Sequence, residues 1–296
     1  MILPEPAGGE RCGRVVSCHR RHFGVRAGDQ ELRCILKGRS REVACGDRVW
    51  VRETAPGEGV IIRADPRGSL LFRSDGRREK LIAANVSLVV AVLAALPKPN
   101  EELLSRCLAV AESQNIGAVI LLNKVDLPEA EDALHLLRPY VELGYPLVTL
   151  CAKRDVGPLL PHLRGQTSVL VGQSGVGKST LINRLVPEAR AAVSEISVRG
   201  SMGRQTTTAT RLFSLDAQTH VIDSPGFQEF GLAHLSAGQL EAGFREFCPF
   251  FGNCRFRDCA HLGEQGCGIA MAAERGQVRP ERLEIYRRLR RLLEPR

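Results

Sequence analysis

The 296-residue sequence lacks a long hydrophobic run. Its longest nearly apolar stretch covers residues 86–96 and is interrupted by Ser87. A membrane-spanning helix needs about 20 residues, so this stretch is too short. The first residues, MILPEPAGGERCGR, have no basic start followed by an apolar core, so they do not form a secretory signal pattern. The sequence therefore predicts a cytoplasmic protein with no membrane partner.

Lysine is scarce, because 35 of the 41 basic residues are arginine. The net charge is +8, and the excess lies at both ends: residues 1–80 hold 17 basic against 11 acidic residues, and residues 270–296 hold 8 against 4. Two basic ends favour binding to a polyanionic partner such as nucleic acid. Solubility and an arginine-rich codon preference explain the same excess, so charge alone leaves this choice open.

Internal repeats and low-complexity segments are absent, and 44% hydrophobic with 25% charged residues is a globular composition. The length predicts two or three domains. Residues 1–70 are predicted to form the first, a small all-β barrel, because brief β-branched or alternating segments follow one another there without a helix. Its five strands are predicted at residues 13–17, 25–27, 31–36, 47–53 and 59–64. The polar, basic residues 67–80 are predicted to be a linker.

From residue 84 the pattern changes to strands that alternate with helices, which predicts an α/β domain with a parallel sheet over residues 71–232. Residues 233–296 are predicted to be a helical, cysteine-rich domain that ends in a helix over 281–293 behind Pro280. The strands of the middle domain are predicted at 86–93, 117–122, 146–150, 167–171, 211–215 and 220–222, and its helices at 101–114, 129–143, 156–163 and 178–186.

The segment GQSGVGKS at residues 172–179 has the spacing of a phosphate-binding loop, with a predicted strand before it and a helix after it. Glycines allow backbone N–H groups to surround phosphate, and the helix N-terminus adds positive potential. Lys178 is expected to reach the terminal phosphates, and Ser179 to bind Mg²⁺. A strand-to-helix turn without a ligand is the alternative. The predicted nucleotide contacts are Gly172, Gln173, Ser174, Gly175, Val176, Gly177, Lys178, Ser179 and Thr180.

A base-reading motif precedes this loop. Asn123, Lys124 and Asp126 belong to NKVD, directly after an apolar strand, and an Asp carboxylate there accepts hydrogen bonds from the guanine N1–H and amino groups. Adenine offers no such pair, so GTP is the predicted nucleotide; an ATPase would require NKVD to be accidental. Cys151-Ala152-Lys153, after the next strand, has the position of the turn that supports the base in GTPases, with Cys in place of the usual Ser.

The order of these motifs predicts a circular permutation. In Ras-like GTPases the phosphate loop precedes NKxD, whereas here the base motifs come first and DSPG, at 223–226, follows the loop. Chains tolerate such permutation when their termini lie close together at the surface. The switch segments are thereby placed next to the C-terminal domain, on which a switch movement can pull.

The residues that respond to the γ-phosphate are predicted from position. Asp223 is expected to hold the Mg²⁺ shell with Ser179 and Thr207, and the Gly226 N–H to sense the γ-phosphate. The three threonines at 206–208 also suit a solvated turn. Phe227 follows DSPG, where Ras-like enzymes have a Gln that orients the attacking water. Free hydrolysis is therefore expected to be slow, with Gln205 or Arg204 as the local candidates for that group.

Cys254, Cys259, His261 and Cys267 form C-x₄-C-x-H-x₅-C. Three thiolates and one imidazole complete a tetrahedral Zn²⁺ site with no open position, which predicts a structural metal. Unrelated free thiols are the alternative. Arg255 and Arg257 lie inside the cluster, where they could contact RNA.

Together these features resemble the circularly permuted, ribosome-small-subunit-dependent GTPases of bacteria, the ribosome biogenesis GTPase A family. CGDRVWV, AANVSLVVAV, NKVD, GQSGVGKST, GRQTTT, DSPGF and the cysteine cluster occur in that family's order over nearly the whole chain. The resemblance implies an OB-fold, a permuted GTPase domain and a zinc-bearing helical domain. It also implies GTP hydrolysis stimulated by the small ribosomal subunit, late maturation of that subunit, and contact with its rRNA.

The sequence departs from the family at two positions. Gln205 stands where members often have His, so a histidine-based hydrolytic role does not carry over, and Ser87 stands where Asp is common. A monomer is expected. A permuted GTPase that acts on the large subunit is the nearest alternative, and a zinc-dependent nucleic-acid-binding protein with a merely structural nucleotide site is another.

Overall fold

The structure is a computed structural model that describes residues 9–19, 22–37, 43–74, 79–187, 210–223 and 230–293. Its first strands close into a barrel in the order β1-β2-β3-β5-β4-β1, with β3 and β5 parallel and the other pairs antiparallel. In β3, Leu32 and Cys34 are buried and alternate with exposed residues. The predicted five-stranded barrel is confirmed. The strands are β1 Glu10–Cys18, β2 Phe23–Ala27, β3 Gln30–Leu36, β4 Arg48–Ala55 and β5 Glu58–Ala64.

The predicted linker at residues 67–80 is wrong in part, because Leu70–Ser74 (β6) and Glu79–Ala84 (β7) pair as an antiparallel hairpin. A distant side chain secures it: Gln114 accepts a hydrogen bond from the Leu70 N–H at 2.7 Å and donates one to the Leu70 carbonyl at 2.6 Å. Gln114 thus supplies the donor and acceptor that a neighbouring strand would offer. Local composition cannot reveal such a partner.

The second half of the main sheet follows the predicted alternation, in the order β10-β9-β8-β11-β13-β12. Only the pair β12–β13 in this set is antiparallel. All seven residues of β8 are buried, as expected for a central parallel strand covered on both faces. The strands are β8 Leu88–Ala94, β9 Gly117–Asn123, β10 Leu147–Leu150, β11 Thr167–Val171, β12 Thr210–Ser214 and β13 His220–Asp223.

The barrel and the α/β region share one sheet, since β12 pairs with β1 through Ser17 opposite Arg211 and Cys18 opposite Thr210. The α/β region contains the helices α1 Glu101–Ser113, α2 Ala130–Glu142, α3 Leu160–Leu163 and α4 Lys178–Leu185, and a 3₁₀ turn at Gly157–Leu159. Asn100 caps α1 by accepting a hydrogen bond from the Leu103 N–H at 2.9 Å. The predicted division at residues 70 and 232 stays a prediction.

The C-terminal region is helical, as predicted. Leu283, Tyr286 and Leu289 form the buried stripe of the last helix, which begins at Pro280. No helix in the described parts of the chain is long and apolar enough to cross a membrane. The elements are α5 Ala237–Ala242, a 3₁₀ helix Arg245–Phe250, α6 Gly268–Glu274 and α7 Pro280–Arg291.

This region packs closely on α1. A Cβ built on Gly243 would lie 2.5 Å from Cα of Ala109, so only glycine fits between α5 and α1. Arg282 of α7 is buried, and its Nε donates to Glu246 at 2.5 Å. Its Nη1 donates to the Tyr140 hydroxyl at 3.2 Å, which connects α7 to α2.

Candidate functional site

The predicted phosphate loop connects β11 to α4. Gly175 and Gly177 have φ angles of +81° and +101°, which side chains other than glycine rarely tolerate. A Cβ on Gly172 would lie 2.1 Å from the carbonyl oxygen of Val92, so the backbone of the central strand occupies that space. Glycine is therefore required at all three positions, and the loop has the tight curvature that a phosphate-binding backbone needs.

Lys178, the first residue of α4, turns back over this loop. Its Nζ donates to the carbonyl oxygens of Gly172 and Gln173, at 2.5 and 2.8 Å. Burial lowers the pKa of Lys178, and Asp223 opposes that shift. Burial likewise raises the pKa of Asp223, opposed by Lys178. The predicted phosphate-binding lysine and the predicted Mg²⁺-shell carboxylate thus act on each other electrostatically.

NKVD holds the loops of the site together. Asn123, at the end of β9, is buried; its Nδ2 donates to the Val176 carbonyl at 2.8 Å, and its Oδ1 accepts from the Ala152 N–H at 2.9 Å. Lys124 has a φ of +61°, and its Nζ donates to the carbonyls of Leu96 and Gly175, both at 2.7 Å. Two residues of the base motif therefore fasten the phosphate loop and the 151–153 turn to the sheet.

A cleft of about 220 Å³ lies where these loops meet, lined by residues that include Asp126, Cys151, Lys153 and Thr180. A hydrogen bond from the Cys151 side chain lowers the pKa of Asp126, as do its own backbone N–H, Arg154 and Lys153. The carboxylate is kept ionised, which is the form that accepts two hydrogen bonds from guanine. The Cys151 side chain in this turn therefore contacts the carboxylate that is predicted to recognise the base.

The switch residues fall largely outside the described residues. Asp223 ends β13 and is described. Thr207, Gln205, Arg204, Gly226 and Phe227 lie in the gaps at 188–209 and 224–229. Their roles in Mg²⁺ binding, γ-phosphate sensing and orientation of the attacking water stay predictions.

The structure brings together all four predicted metal ligands. The ligand atoms of Cys254, Cys259, His261 and Cys267 lie within 4.8 Å of one another. His261 Nδ1 is 3.6, 3.5 and 3.3 Å from the three sulfur atoms, in sequence order. A tetrahedral zinc with Zn–S of about 2.3 Å and Zn–N of about 2.0 Å has S···N edges of about 3.5 Å. The donor set and its size therefore fit zinc.

Groups around the cluster hold its ligands in place. Glu241 of α5 faces His261 Nε2 at 3.1 Å, which leaves Nδ1 for the metal. The Gly268 N–H lies 3.2 Å from Cys254 Sγ, and the Ala270 N–H lies 3.4 Å from Cys267 Sγ, so both can stabilise thiolate charge. The Arg287 guanidinium donates to the His261 carbonyl at 3.0 Å and fixes the cluster to α7.

Sequence reasoning missed two kinds of residue. Glu241 lies 20 positions before its histidine, so no motif includes it. The fastening contacts of Asn123 and Lys124 were also missed, because the motif predicts only nucleotide binding. The left-handed φ of Lys124 leaves no clear sequence signal, whereas the buried position of Asn123 at a strand end could have suggested a structural role.

The topology and the site together define a circularly permuted GTPase. The base motif follows β9, and the phosphate loop follows β11 later in the chain, although both loops meet at the same edge of one parallel sheet. A family model described as RsgA GTPase matches residues 64–233. The chain belongs to the RsgA GTPase family.

Relatives extend the likeness over nearly the whole chain. A protein of Nitrosomonas europaea named small ribosomal subunit biogenesis GTPase RsgA is 50% identical over 282 residues, which cover 94% of this chain and 90% of the relative. A protein of the same name from Burkholderia pseudomallei is 45% identical over 294 residues, covering 97% and 94%.

Two solved structures have the same fold. The structure of YjeQ from Thermotoga maritima matches with a TM-score of 0.71 and 29% identity, covering 97% of this chain and all of that one. The structure of YloQ, described as a circularly permuted GTPase, matches with a TM-score of 0.70 and 24% identity, covering 98% of each chain. The similarity therefore includes both the barrel and the cysteine-rich end.

Proposed function

We propose that this GTPase assists late maturation of the small ribosomal subunit, hydrolysing GTP to GDP and phosphate with stimulation by the subunit. The observation that carries the proposal is 50% identity, over 94% of this chain, to a relative named for small-subunit biogenesis. The large-subunit alternative is set aside, because the relatives' name specifies the small subunit.

In this proposal the described cleft holds guanine and the phosphate loop holds the phosphates of GTP or GDP. Asp126 accepts from the base, and Lys178 exchanges its two loop carbonyls for phosphate oxygens. Ser179, Asp223 and Thr207 complete the Mg²⁺ shell. A Mg²⁺ ion held by these residues would supply charge neutralisation at the phosphates. Burial raises the pKa of Asp223, so a cation next to it would favour the ionised carboxylate.

One structural Zn²⁺ is held by Cys254, Cys259, His261 and Cys267, whose spacing supports this assignment. The metal keeps the loop between the 3₁₀ helix and α6 folded, because this loop has few other buried residues. Four protein ligands leave no position for a reactive water, so the metal supplies no catalytic chemistry.

The metal-held loop supports a contact with rRNA. Phe251 and Phe256 are 42% and 47% exposed, which is unusual for phenylalanine in a rigid loop. The Arg255 guanidinium lies 5.5 Å from the centre of the Phe256 ring, and Arg257 is exposed next to it. Exposed aromatic rings with arginines can stack on unpaired bases and pair with phosphates. The net charge of +8 favours the same partner.

The proposed setting is the cytoplasm, where ribosomal subunits mature, and the proposed state is a monomer. The small ribosomal subunit is then the proposed stimulating partner. The water-orienting group, whether Gln205 or a group on the subunit, is proposed to act in that complex.

The test is GTP hydrolysis by purified protein alone, with small subunits and with large subunits. We expect a slow basal rate, a many-fold increase with small subunits and no increase with large ones. Lys178→Ala should lower the stimulated rate of GTP hydrolysis by about 100-fold or more. The negative charge of the transition state would then lack the lysine cation that stabilises it. Lys98→Ala, at an exposed lysine outside the loop, is the matched control. No stimulation of the wild-type protein by small subunits would contradict the proposal.

A further inference from the structure

The outer surface of the barrel carries three arginines side by side, here called the arginine row. Arg14 of β1 stands opposite Arg26 in β2 and opposite Arg48 in β4. Residues directly opposite each other in an antiparallel pair lie on the same face, with Cβ atoms about 5 Å apart. The barrel core contains an immediate neighbour of each arginine, namely Val15, Val25 and Val49. Because side chains alternate along a strand, all three arginines point away from that core.

The arginine row has little compensating negative charge. Further along the same β1–β4 ladder, Arg52 stands opposite Glu10, and the two side chains form an ion pair at 3.3 Å. In the described parts of the chain, Arg26 is the one member of the row with an ion-pair partner, Glu31 at 3.7 Å. Like charges directly opposite each other are destabilising, so an anion placed among these guanidinium groups would be favourable.

The positive charge of the row also acts on neighbouring groups. Burial first, and then Arg14 and Arg26, lower the pKa of His220 to about 4, against the opposing effect of Asp216. Burial and then Arg48 lower the pKa of Arg14 from its usual value. His220 is the first residue of β13, so the field of the row extends to the place where the barrel joins the GTPase sheet.

The length of the row indicates the kind of anion. Adjacent strands lie about 4.8 Å apart, so the row from β2 through β1 to β4 spans about 10 Å. Arg26 and Arg48, its outer members, are exposed, and Arg14 between them is half-buried. A single phosphate ion is too small to contact both outer side chains, whereas the successive phosphates of a nucleic-acid backbone can pair with one each.

The surroundings of the row favour contacts with phosphates over contacts with bases. Trp50, two residues after Arg48 in β4, is only 7% exposed, and the Arg63 guanidinium covers its ring at 4.3 Å from the centre. The indole N–H donates to Asp65 at 2.9 Å. The aromatic ring of β4 is therefore already packed and cannot stack on a base. The exposed phenylalanines of the metal-held loop differ in this respect.

We propose that the arginine row binds the sugar-phosphate backbone of an RNA strand without regard to its base sequence. The choice of RNA as the polyanion rests on the proposed function. Arg26 and Arg48 pair with successive phosphates, and Arg14 adds positive charge between them. The row crosses β4, β1 and β2, so it extends beyond the surface of strands 2 and 3 that OB-folds commonly use for oligonucleotides.

The experiment measures RNA binding by fluorescence anisotropy, with the full-length, zinc-loaded protein at several KCl concentrations. The probes are labelled oligo(U) and oligo(A) of about 20 nucleotides, longer than the site of one OB-fold. Saturating GDP and Mg²⁺ keep the nucleotide cleft filled. Each lost phosphate contact should reduce the slope of log K against log[salt] by about 0.7. For Arg48→Gln this corresponds to about fivefold weaker binding at about 0.1 M salt, and for the double variant Arg26→Gln/Arg48→Gln to about 25-fold.

Arg52→Gln is the matched control. It removes the same charge from the same strand, but from an arginine that Glu10 already pairs, so RNA affinity should stay within about twofold of the wild type. Melting temperature separates binding from a structural role. The row variants should melt at the same temperature as the wild type or higher, because each removes a repulsion between like charges.

Three outcomes would overturn the proposal: equal weakening by Arg48→Gln and Arg52→Gln, an unchanged salt slope in the double variant, or an effect on one of the two RNAs alone. Inorganic phosphate that displaces the RNA at constant ionic strength would also overturn it, since the row would then hold a single anion. The assay needs no ribosomal subunit, so its failure is distinguishable from a failure of small subunits to stimulate GTP hydrolysis.

Discussion

The nucleotide cleft and the metal cluster are both built from loops, but they are held in different ways. In the cleft, Asn123 and Lys124 tie three loops to the sheet through four hydrogen bonds to the backbone. In the cluster, three sulfur atoms and one imidazole nitrogen lie within 4.8 Å of one another. The cleft is therefore organised by the chain itself, whereas the proposed Zn²⁺ would make the closeness of the three sulfur atoms and the imidazole favourable.

This difference predicts where each region is vulnerable. Removal of the nucleotide should leave the cleft largely formed, because hydrogen bonds from protein side chains hold its loops in place. Loss of the metal should unfold the loop around it and loosen α6 and α7, which it joins. Four substitutions test the contrast, in order of decreasing expected effect.

The largest effect is expected from Cys267→Ser. Cys267 is buried, and its side chain also caps α6 by accepting from the Ala270 N–H. Structural zinc contributes on the order of 10 kcal/mol to folding of small metal-held units, so the C-terminal region should lose its cooperative unfolding transition. Zinc content by elemental analysis should fall from one ion per chain to nearly none.

Cys248→Ser is the control, since Cys248 is exposed and lies outside the cluster. The contrast would be contradicted by a Cys267→Ser protein that keeps its zinc and its stability.

Asp126→Asn tests the base side of the cleft. The amide can no longer accept both guanine hydrogen bonds, so GTP affinity should fall about 100-fold and xanthosine triphosphate should become the better ligand. Fluorescent-nucleotide titration measures both. Asp155→Asn, at a turn residue whose side chain accepts from the Gly157 N–H, should leave the preference for GTP intact. Unchanged GTP affinity in Asp126→Asn would remove the guanine assignment.

Asn123→Ala tests the fastening itself. The substitution leaves the Ala152 N–H and the Val176 carbonyl without their hydrogen-bond partner, at a free-energy cost of about 1–3 kcal/mol. Much of that cost should appear in binding, as a roughly tenfold or greater loss of GDP affinity, because the loops lose their alignment. Asn183→Ala, on α4, keeps these contacts and should bind normally. Equal affinity in the two variants would show that the cleft is aligned by other means.

The last substitution, with an expected effect no larger than that of Asn123→Ala, lies where the end of α5 packs on α1. Gly243→Ala places a Cβ 2.5 Å from Cα of Ala109 and 2.7 Å from its Cβ, so α5 must move away from α1. Stability should fall by about 1–3 kcal/mol, measured by urea unfolding, while zinc content stays at one ion. Gly238→Ala, on α5 with no atom within 4 Å of the added Cβ, should instead be neutral or stabilise by about 0.5–1 kcal/mol. A Gly243→Ala protein as stable as the wild type would mean that α5 does not pack tightly on α1.

Local patterns predicted most elements of the fold. The strand β11 was predicted over its observed residues, and α1 and α2 to within a residue or so at each end. The hairpin β6–β7 was missed because its support comes from Gln114, 44 positions away, and not from its own residue pattern. Spacing also predicted the four candidate metal ligands, whose ligand atoms the structure brings within 4.8 Å of one another, but it could not predict Glu241.

The sequence by itself determined the chemistry of each site: the glycines of the phosphate loop, the carboxylate of NKVD, and four metal donors within reach of one another. The tertiary structure alone decided which groups meet. Asn123 contacts residues 29 and 53 positions away, and Arg282 reaches Tyr140 across 142 positions. Backbone preferences depend on neighbours a few residues apart, whereas such contacts arise only when the sheet and helices pack and exclude water, which makes an unpaired polar group costly.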